Sequence, residues 1–190
     1  PKLNQFASWM PKVMQGKGAC QEVVLTEPDI TQLPILTCWP KDGGPFVTLP
    51  IIHTKDPNTN SRNVGMYRMQ VFGPKLTGMH WHKHKVSAKH FNEYKKLGKK
   101  MPIAVALGGD PVYAYAATAP LPENVDEYML AGFLRKQKVA LVKCITQPEI
   151  AVPADAVAGF AVILRSLSGR GRTLILKPSG LIVSVSFMCI

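Results

Sequence analysis

The spacing of apolar and polar positions changes period several times along the chain. Phe6, Trp9, Met10 and Val13 recur at helical spacing and stop at Gly16 and Gly18, which predicts a short helix. Gln21 to Leu25 alternates as a strand does, and Leu33 to Trp39 is a second apolar run. Lys41-Asp42-Gly43-Gly44-Pro45 predicts a turn, after which Phe46 to Ile52 resumes extended structure. Lys55 to Arg62 is polar and carries Pro57, Asn58 and Asn60, the pattern of a surface loop. Asn63 to Phe72 predicts a strand that turns at Gly73-Pro74, and Thr77 to Lys85 predicts the next. Helical spacing returns from Ser87, a candidate N-cap, through Phe91, Tyr94 and Leu97 to Gly98. Ile103 to Leu107 predicts a buried strand, Gly108 to Pro111 a turn, and Val112 to Ala117 a short helix or strand. Val125, Tyr128, Met129, Gly132 and Phe133 give the clearest amphipathic helix, and Val139 to Ile145 a further strand. Short strands with inserted helices point to an α+β domain on an antiparallel barrel or sheet.

Composition agrees with a folded domain. Hydrophobic residues make up 46% of the 190 and charged residues 18%, which excludes a disordered chain. No apolar run is long enough for a membrane helix, and no secretion signal is visible. Cys20, Cys38, Cys144 and Cys189 form no Cys-x-x-Cys pair, so they predict reduced thiols rather than a zinc ribbon. The net charge of +11 is localised. Between His82 and Lys100 seven lysines face the single acid Glu93, which reads as the solvated face of a helix. A basic face with interleaved aromatics is missing, so no nucleic-acid partner is expected.

Chemistry concentrates in two segments. Asn63-Val64-Gly65-Met66-Tyr67-Arg68 brings a carboxamide and a guanidinium close together, and His80, His82 and His84 follow at alternate positions. On a strand the three imidazoles would share one face and could hold a divalent metal. An ideal strand would put Asn63 and Arg68 on opposite faces, unless Gly65 bends it. Asn124-Val125-Asp126-Glu127 fits a capping box, with Asn124 as N-cap and Glu127 reaching back.

Eight motifs occur in an order that resembles the UbiD family of prenylated-FMN-dependent carboxy-lyases. They are Asp42-Gly43-Gly44, Asn63 to Arg68, Thr77 to His84 and Leu107-Gly108-Gly109-Asp110-Pro111. After them come Thr118-Ala119-Pro120-Leu121-Pro122, Asp126-Glu127-Tyr128, Leu141-Val142-Lys143-Cys144 and Val152-Pro153-Ala154. The resemblance implies an α+β fold, a split antiparallel β-barrel like that of flavin reductases, with inserted helices. It divides the chain into residues 1–20, a remnant of a preceding α/β region, and 21–156, the cofactor- and metal-binding domain. Residues 157–190 form a tail unlike the family, expected from a shifted reading frame or an artificial end. It further implies prenylated FMN and a manganese or magnesium ion held by Asn63, His84 and Glu127, with a potassium ion as a further cation. The cofactor would contact Asn63, Gly65, Met66, Tyr67, Arg68, Lys83, His84, Thr118 and Pro120. Arg68 would hold the substrate carboxylate. His80 and His82 match no ligand of the family and read as wall residues.

The implied reaction is the reversible, non-oxidative decarboxylation of an aromatic or α,β-unsaturated carboxylic acid of the quinone-precursor type. Implied partners are that small acid and a flavin prenyltransferase. Full-length relatives are homo-oligomers, and the expected location is cytoplasmic, with peripheral membrane association as a variant. The family carries glutamates shortly after Val-Pro-Ala, one of which supplies the proton that replaces carbon dioxide. Here the aligned positions are Val157 and Ala161, neither with a proton to give. Weak or absent turnover is therefore expected of this chain. The alternatives are a non-catalytic remnant that binds flavin and metal, and a flavin reductase using ordinary FMN.

Overall fold

The computed structural model describes residues 7–122, 125–165 and 174–183. Twelve strands and three helices of eight residues or more follow one another among these residues. They begin with β1 (Lys12–Val13), β2 (Val24–Leu25), β3 (Phe46–Val47), β4 (Ile51–Lys55), β5 (Arg62–Met66), β6 (Met69–Gly73) and β7 (Leu76–Met79). Next come α1 (Val86–Lys96), β8 (Met101–Leu107), α2 (Pro111–Thr118) and α3 (Glu127–Arg135). The described part ends with β9 (Ala140–Lys143), β10 (Ala151–Pro153), β11 (Ala158–Arg165) and β12 (Leu174–Val183). The larger sheet runs β3-β6-β7-β12-β11-β8-β4-β5, with β2 attached to β12, and all its pairings are antiparallel. Its path is open, from β3 to β5, rather than a closed ring. A second sheet, β1-β9-β10, joins one parallel and one antiparallel pair. The α+β class read from the sequence is the class observed.

The central strands are buried on both faces, and the size of their side chains decides what packs where. On β8, Ile103 and Val105 enter one core with Ile52, Met69, Met79, Phe160 and Val162. Ala104 and Ala106 point the other way, into a core with Tyr113, Ala116, Tyr128, Ala131 and Leu141. Branched side chains fill the strand-lined core, whereas alanines leave room for α2 and α3 to approach the sheet. β4 follows the same rule: Ile52 and Thr54 face one side, Ile51 and His53 the other. β11 lies between β8 and β12, with Phe160, Val162 and Leu164 at 2%, 0% and 0% exposure.

Several predicted strands are shorter than the pattern suggested, and two of them carry expected site residues. Asn63 to Phe72 is split: β5 ends at Met66, β6 starts at Met69, and Tyr67-Arg68 form the break. Thr77 to Lys85 is a strand only to Met79, after which His80 to Lys85 is irregular. Lys85 takes the position before α1 without a side-chain cap, so Ser87 lies inside the helix rather than capping it. Asp126, not Asn124, caps α3 by accepting from the Tyr128 N–H at 2.8 Å, and Glu127 is the first helical residue; Asn124 lies outside the described residues. Cys20 and Cys144 are buried free thiols whose burial pushes them up to about 11 and about 12, while Cys38 is exposed. Cys189 lies outside the described residues. Among the described residues no helix is long and apolar enough to cross a membrane.

His53 makes a testable weak point. It is fully enclosed, its Nε2 lies 2.6 Å from the Tyr128 hydroxyl and its Nδ1 3.3 Å from the Ala104 carbonyl oxygen. Burial, helped by the Arg62 charge, pushes its pKa down to about 3. A histidine with a depressed folded pKa contributes stability above its unfolded value near 6.5, and that contribution is lost as pH falls toward 3. The expected result is a His53 ring that is still neutral at pH 4 in the folded chain, read by NMR. A His53 ring that titrates near 6.5 while the fold persists would refute this.

Candidate functional site

β5 ends the larger sheet, so one of its edges is free for other partners. Two helix starts meet it at adjacent residues. Asn63 Nδ2 donates to Ser87 Oγ, in the first turn of α1, at 2.9 Å. The Val64 N–H donates to Glu127 Oε2, from the first residue of α3, at 3.1 Å. Alternation on β5 puts the Asn63 side chain with Thr54 on one face and Val64 with His53 on the other. Asn63 and Glu127 therefore reach the same edge from two sides. The first turns of both helices carry partial positive charge there, a setting that suits an anion such as a phosphate.

The electrostatics leave Glu127 short of a cation. Its carboxyl is pushed up to about 7, chiefly by burial, against the lowering effect of the Val64 N–H and of Arg62. Arg62, the nearby guanidinium, is committed elsewhere: its Nη2 donates to Asp126 Oδ2, and its plane lies 5.3 Å from the Tyr128 ring centre. Asn63 is 6% exposed, and its Oδ1 accepts no hydrogen bond from the described residues. A half-buried carboxylate without a cation and, one position along β5 from its Val64 partner, an amide oxygen without a donor among the described residues are the ligand types a hard divalent ion favours. Among the described residues no three His, Cys, Asp or Glu side chains converge, so any such ion depends on the amide.

The remaining expected residues divide between this edge and its surroundings. His84 lies three residues before Ser87, exposed, its ring stacked on that of His82 at 5.5 Å and 11°. His80 instead packs against Phe46 with ring centres 5.4 Å apart, so the three imidazoles do not form a comb. Lys83 is exposed in the same irregular segment. Arg68 is exposed, its guanidinium over the Phe46 ring at 5.5 Å, and it has no carboxylate partner among the described residues. Thr118 closes α2 by donating to the Tyr115 carbonyl oxygen at 2.8 Å, and Pro120 is exposed just beyond.

Gly65 does not bend β5, whose pairing with β4 is unbroken from Met66 to Arg62. It makes room for a ring: a Cβ there would lie 2.5 Å from Tyr67 Cζ and Oη. Tyr67 folds back over Gly65 and meets Trp81 edge-on at 5.8 Å. Met66 lies half-buried beside this pair. The break at Tyr67-Arg68, rather than a bulge at Gly65, frees Arg68 from the strand's alternation.

Three polar residues of this neighbourhood were not singled out by sequence reading, Thr54, Arg62 and His90, and Asp126 stood in the quoted Asp126-Glu127-Tyr128 motif without a role of its own. Nothing in their spacing marks them, although an aspartate directly before an acidic helix start is a cap signal. The Gly108-Gly109-Asp110 motif is structural. Both glycines have positive φ, +69° and +89°, and a Cβ at Gly108 would meet Val157 at 2.8 Å. Asp110 caps α2 and pairs with Arg135 Nε at 2.8 Å. Arg135 in turn donates to the Tyr113 hydroxyl at 2.6 Å, and that hydroxyl donates to Asp155 at 3.1 Å.

The family model for the 3-octaprenyl-4-hydroxybenzoate carboxy-lyase Rift-related domain, UbiD, matches residues 11–158. An uncharacterized protein of Archaeoglobus fulgidus is 51% identical over 155 residues, 81% of this chain and 31% of that protein. One of Aquifex aeolicus is 42% identical over 156 residues, 82% of this chain and 32% of that protein. The chain thus spans about a third of the length of these relatives. An evolved dimeric form of the UbiD-class enzyme HmfF from Pelotomaculum thermopropionicum, solved in complex with prFMN, shares the fold. Its TM-score is 0.84 at 26% identity, covering 95% of this chain and 47% of HmfF. The vanillic acid decarboxylase of Sedimentibacter hydroxybenzoicus, in closed form, also has a TM-score of 0.84, at 20% identity, covering 95% of this chain and 43% of that one. With a family match over most of its length and the same fold in solved members, the chain belongs to the UbiD family.

Proposed function

We propose that this chain is the cofactor-binding part of a carboxy-lyase that reversibly and non-oxidatively decarboxylates an aromatic or α,β-unsaturated carboxylic acid. The single observation that supports the reading is that adjacent residues of β5 are tied to two helix starts, Asn63 to Ser87 of α1 and the Val64 N–H to Glu127 of α3. Prenylated FMN, when bound, supplies the electron-accepting ring that loss of carbon dioxide requires. Asn63 Oδ1 and the Glu127 carboxylate would hold manganese or magnesium, with His84 as the imidazole ligand. The first turns of α1 and α3 would face the cofactor's phosphate. Gly65, Met66, Tyr67, Lys83, Thr118 and Pro120 would line the cofactor. Arg68, with no carboxylate partner among the described residues, presents a planar fork that matches a substrate carboxylate.

The replacing proton is where this chain departs from its family. Ala161 is buried on β11 and carries no proton, and Val157 packs beside Gly108. Asp155, the acid next to these positions, accepts from the Tyr113 hydroxyl with both oxygens. Turnover is therefore expected to be weak or absent while binding persists. Dependence on a flavin prenyltransferase, homo-oligomeric assembly and a cytoplasmic location belong to the same reading.

Purification of the chain after co-production with a flavin prenyltransferase tests it. The expected result is flavin absorbance and bound manganese, both lost in Asn63→Ala, with little carbon dioxide released from aryl or cinnamic acids. Absence of flavin and metal from a folded chain would reject the reading, and rapid carbon dioxide release would reject the loss of turnover.

A further inference from the structure

Behind Asn63 runs a line of buried polar groups that the proposed chemistry leaves unexplained. Thr54, Ser87 and His90 are 1%, 0% and 5% exposed. Asn63 Nδ2 lies 2.9 Å from Ser87 Oγ, Ser87 Oγ 3.1 Å from Thr54 Oγ1, and Thr54 Oγ1 3.1 Å from His90 Nδ1. At the far end His90 Nε2 lies 3.9 Å from Asp56 Oδ2. We propose that Ser87, Thr54 and His90 are positioning residues that decide which end of the Asn63 carboxamide faces the cation. This rests on the metal reading of the strand edge.

The supply of protons fixes the direction of each bond in this line. Each hydroxyl has a single proton to donate. The Asp56 carboxylate attracts the His90 proton to Nε2, which leaves Nδ1 as a bare acceptor. Burial lowers the pKa of the ring, against the raising effect of Asp56. Thr54 must then donate to His90 and can only accept from Ser87. Ser87 must donate to Thr54 and can only accept from Asn63. A carboxamide can satisfy that acceptor only with its NH2 end, so the oxygen is turned outward. Reversing the amide would bring a carbonyl against a hydroxyl with no proton left, and would aim an NH2 group at the ion. The orientation of Asn63 is set here by a histidine three hydrogen bonds away.

Manganese binding by EPR, with FMN present, and the side-chain amide signals of Asn63 by NMR without metal test the inference together. Thr54→Val keeps the shape and removes the relay, whereas Thr54→Ser restores the hydroxyl. In Thr54→Val, manganese affinity is expected to fall by about tenfold or more. The Asn63 amide signals should shift and lose protection from exchange, while Thr54→Ser behaves as the parent. A folded Thr54→Val chain with parental manganese affinity and unchanged Asn63 signals would overturn the inference while leaving the metal reading intact. A parent chain that binds no manganese, and is unchanged by Asn63→Ala, would overturn both.

Discussion

Glu127→Gln is expected to stabilise the metal-free chain at pH 8 and to abolish its manganese binding. The Glu127 carboxyl titrates near 7 in the fold, raised from 4.5 mainly by burial. A group with a raised folded pKa contributes its full stability below the unfolded value and loses it as pH rises through the folded one. The window is therefore pH 4.5 to 7, and above it the folded chain holds a half-buried charge with no cation of its own. Glutamine keeps an acceptor for the Val64 N–H and removes that charge. The expected rise in unfolding temperature at pH 8 is about 5 °C, with no rise at pH 4. Manganese affinity should fall by about 100-fold or more, because the Glu127 carboxylate is gone and Asp126 is held by Arg62. An equal or lower unfolding temperature for the variant at pH 8 would remove the electrostatic account, and undiminished manganese binding would remove Glu127 from the metal site. The sign is opposite to that of His53, which costs stability on acidification. The two windows overlap from pH 4.5 to 6.5, where acidification loses the His53 contribution and gains that of Glu127, so the two offset each other in the metal-free protein.

Gly132→Ala is expected to destabilise the chain, against the helix preference of alanine. Glycine inside a helix costs about 1 kcal/mol relative to alanine, so local preference alone predicts a gain. A Cβ at Gly132, however, would lie 2.2 Å from the Trp9 carbonyl oxygen and 3.0 Å from its carbonyl carbon. These are backbone atoms and cannot swing aside. The segment they belong to is tied down nearby: Lys12 N donates to the Val139 carbonyl at 2.9 Å, Met14 N to that of Leu141 at 2.7 Å. Trp9 also meets Phe133 edge-on at 4.8 Å. The methyl group must therefore push the segment off α3, at a net cost of about 3 kcal/mol. Denaturant unfolding measures the loss, and proteolysis near Trp9 should become faster. A variant as stable as the parent or more so would show that the segment does not pack closely on α3.

The same glycine shows how far sequence reading reached. Its place in the series Val125, Tyr128, Met129, Gly132, Phe133 marked an amphipathic helix, and α3 is there. Yet the enclosed residues are Tyr128, Ala131 and Gly132, while Phe133 is half exposed against Trp9. The pattern located the helix, but the approach of a distant segment selected the buried stripe. His80, His82 and His84 show the opposite failure. Alternation predicted a common face, but the strand ends at Met79, and the rings go to Phe46 and to each other. Period-two arguments hold only where the backbone stays extended.

Local rules written into neighbouring residues were legible from the chain alone. They include the turn at Lys41 to Pro45, the buried run of β8, the glycines before α2, and the ordered motifs that resemble the UbiD family. Each rests on sterics or hydrogen bonding within a few residues, or on a motif order that needs no coordinates. What required the tertiary structure was the company each residue keeps. Thr54, Ser87 and His90 come from β4 and α1, and Glu127 reaches Val64 across 63 positions. Such meetings are set by sheet order and by which faces carry alanine or branched side chains, and no spacing along the chain records them.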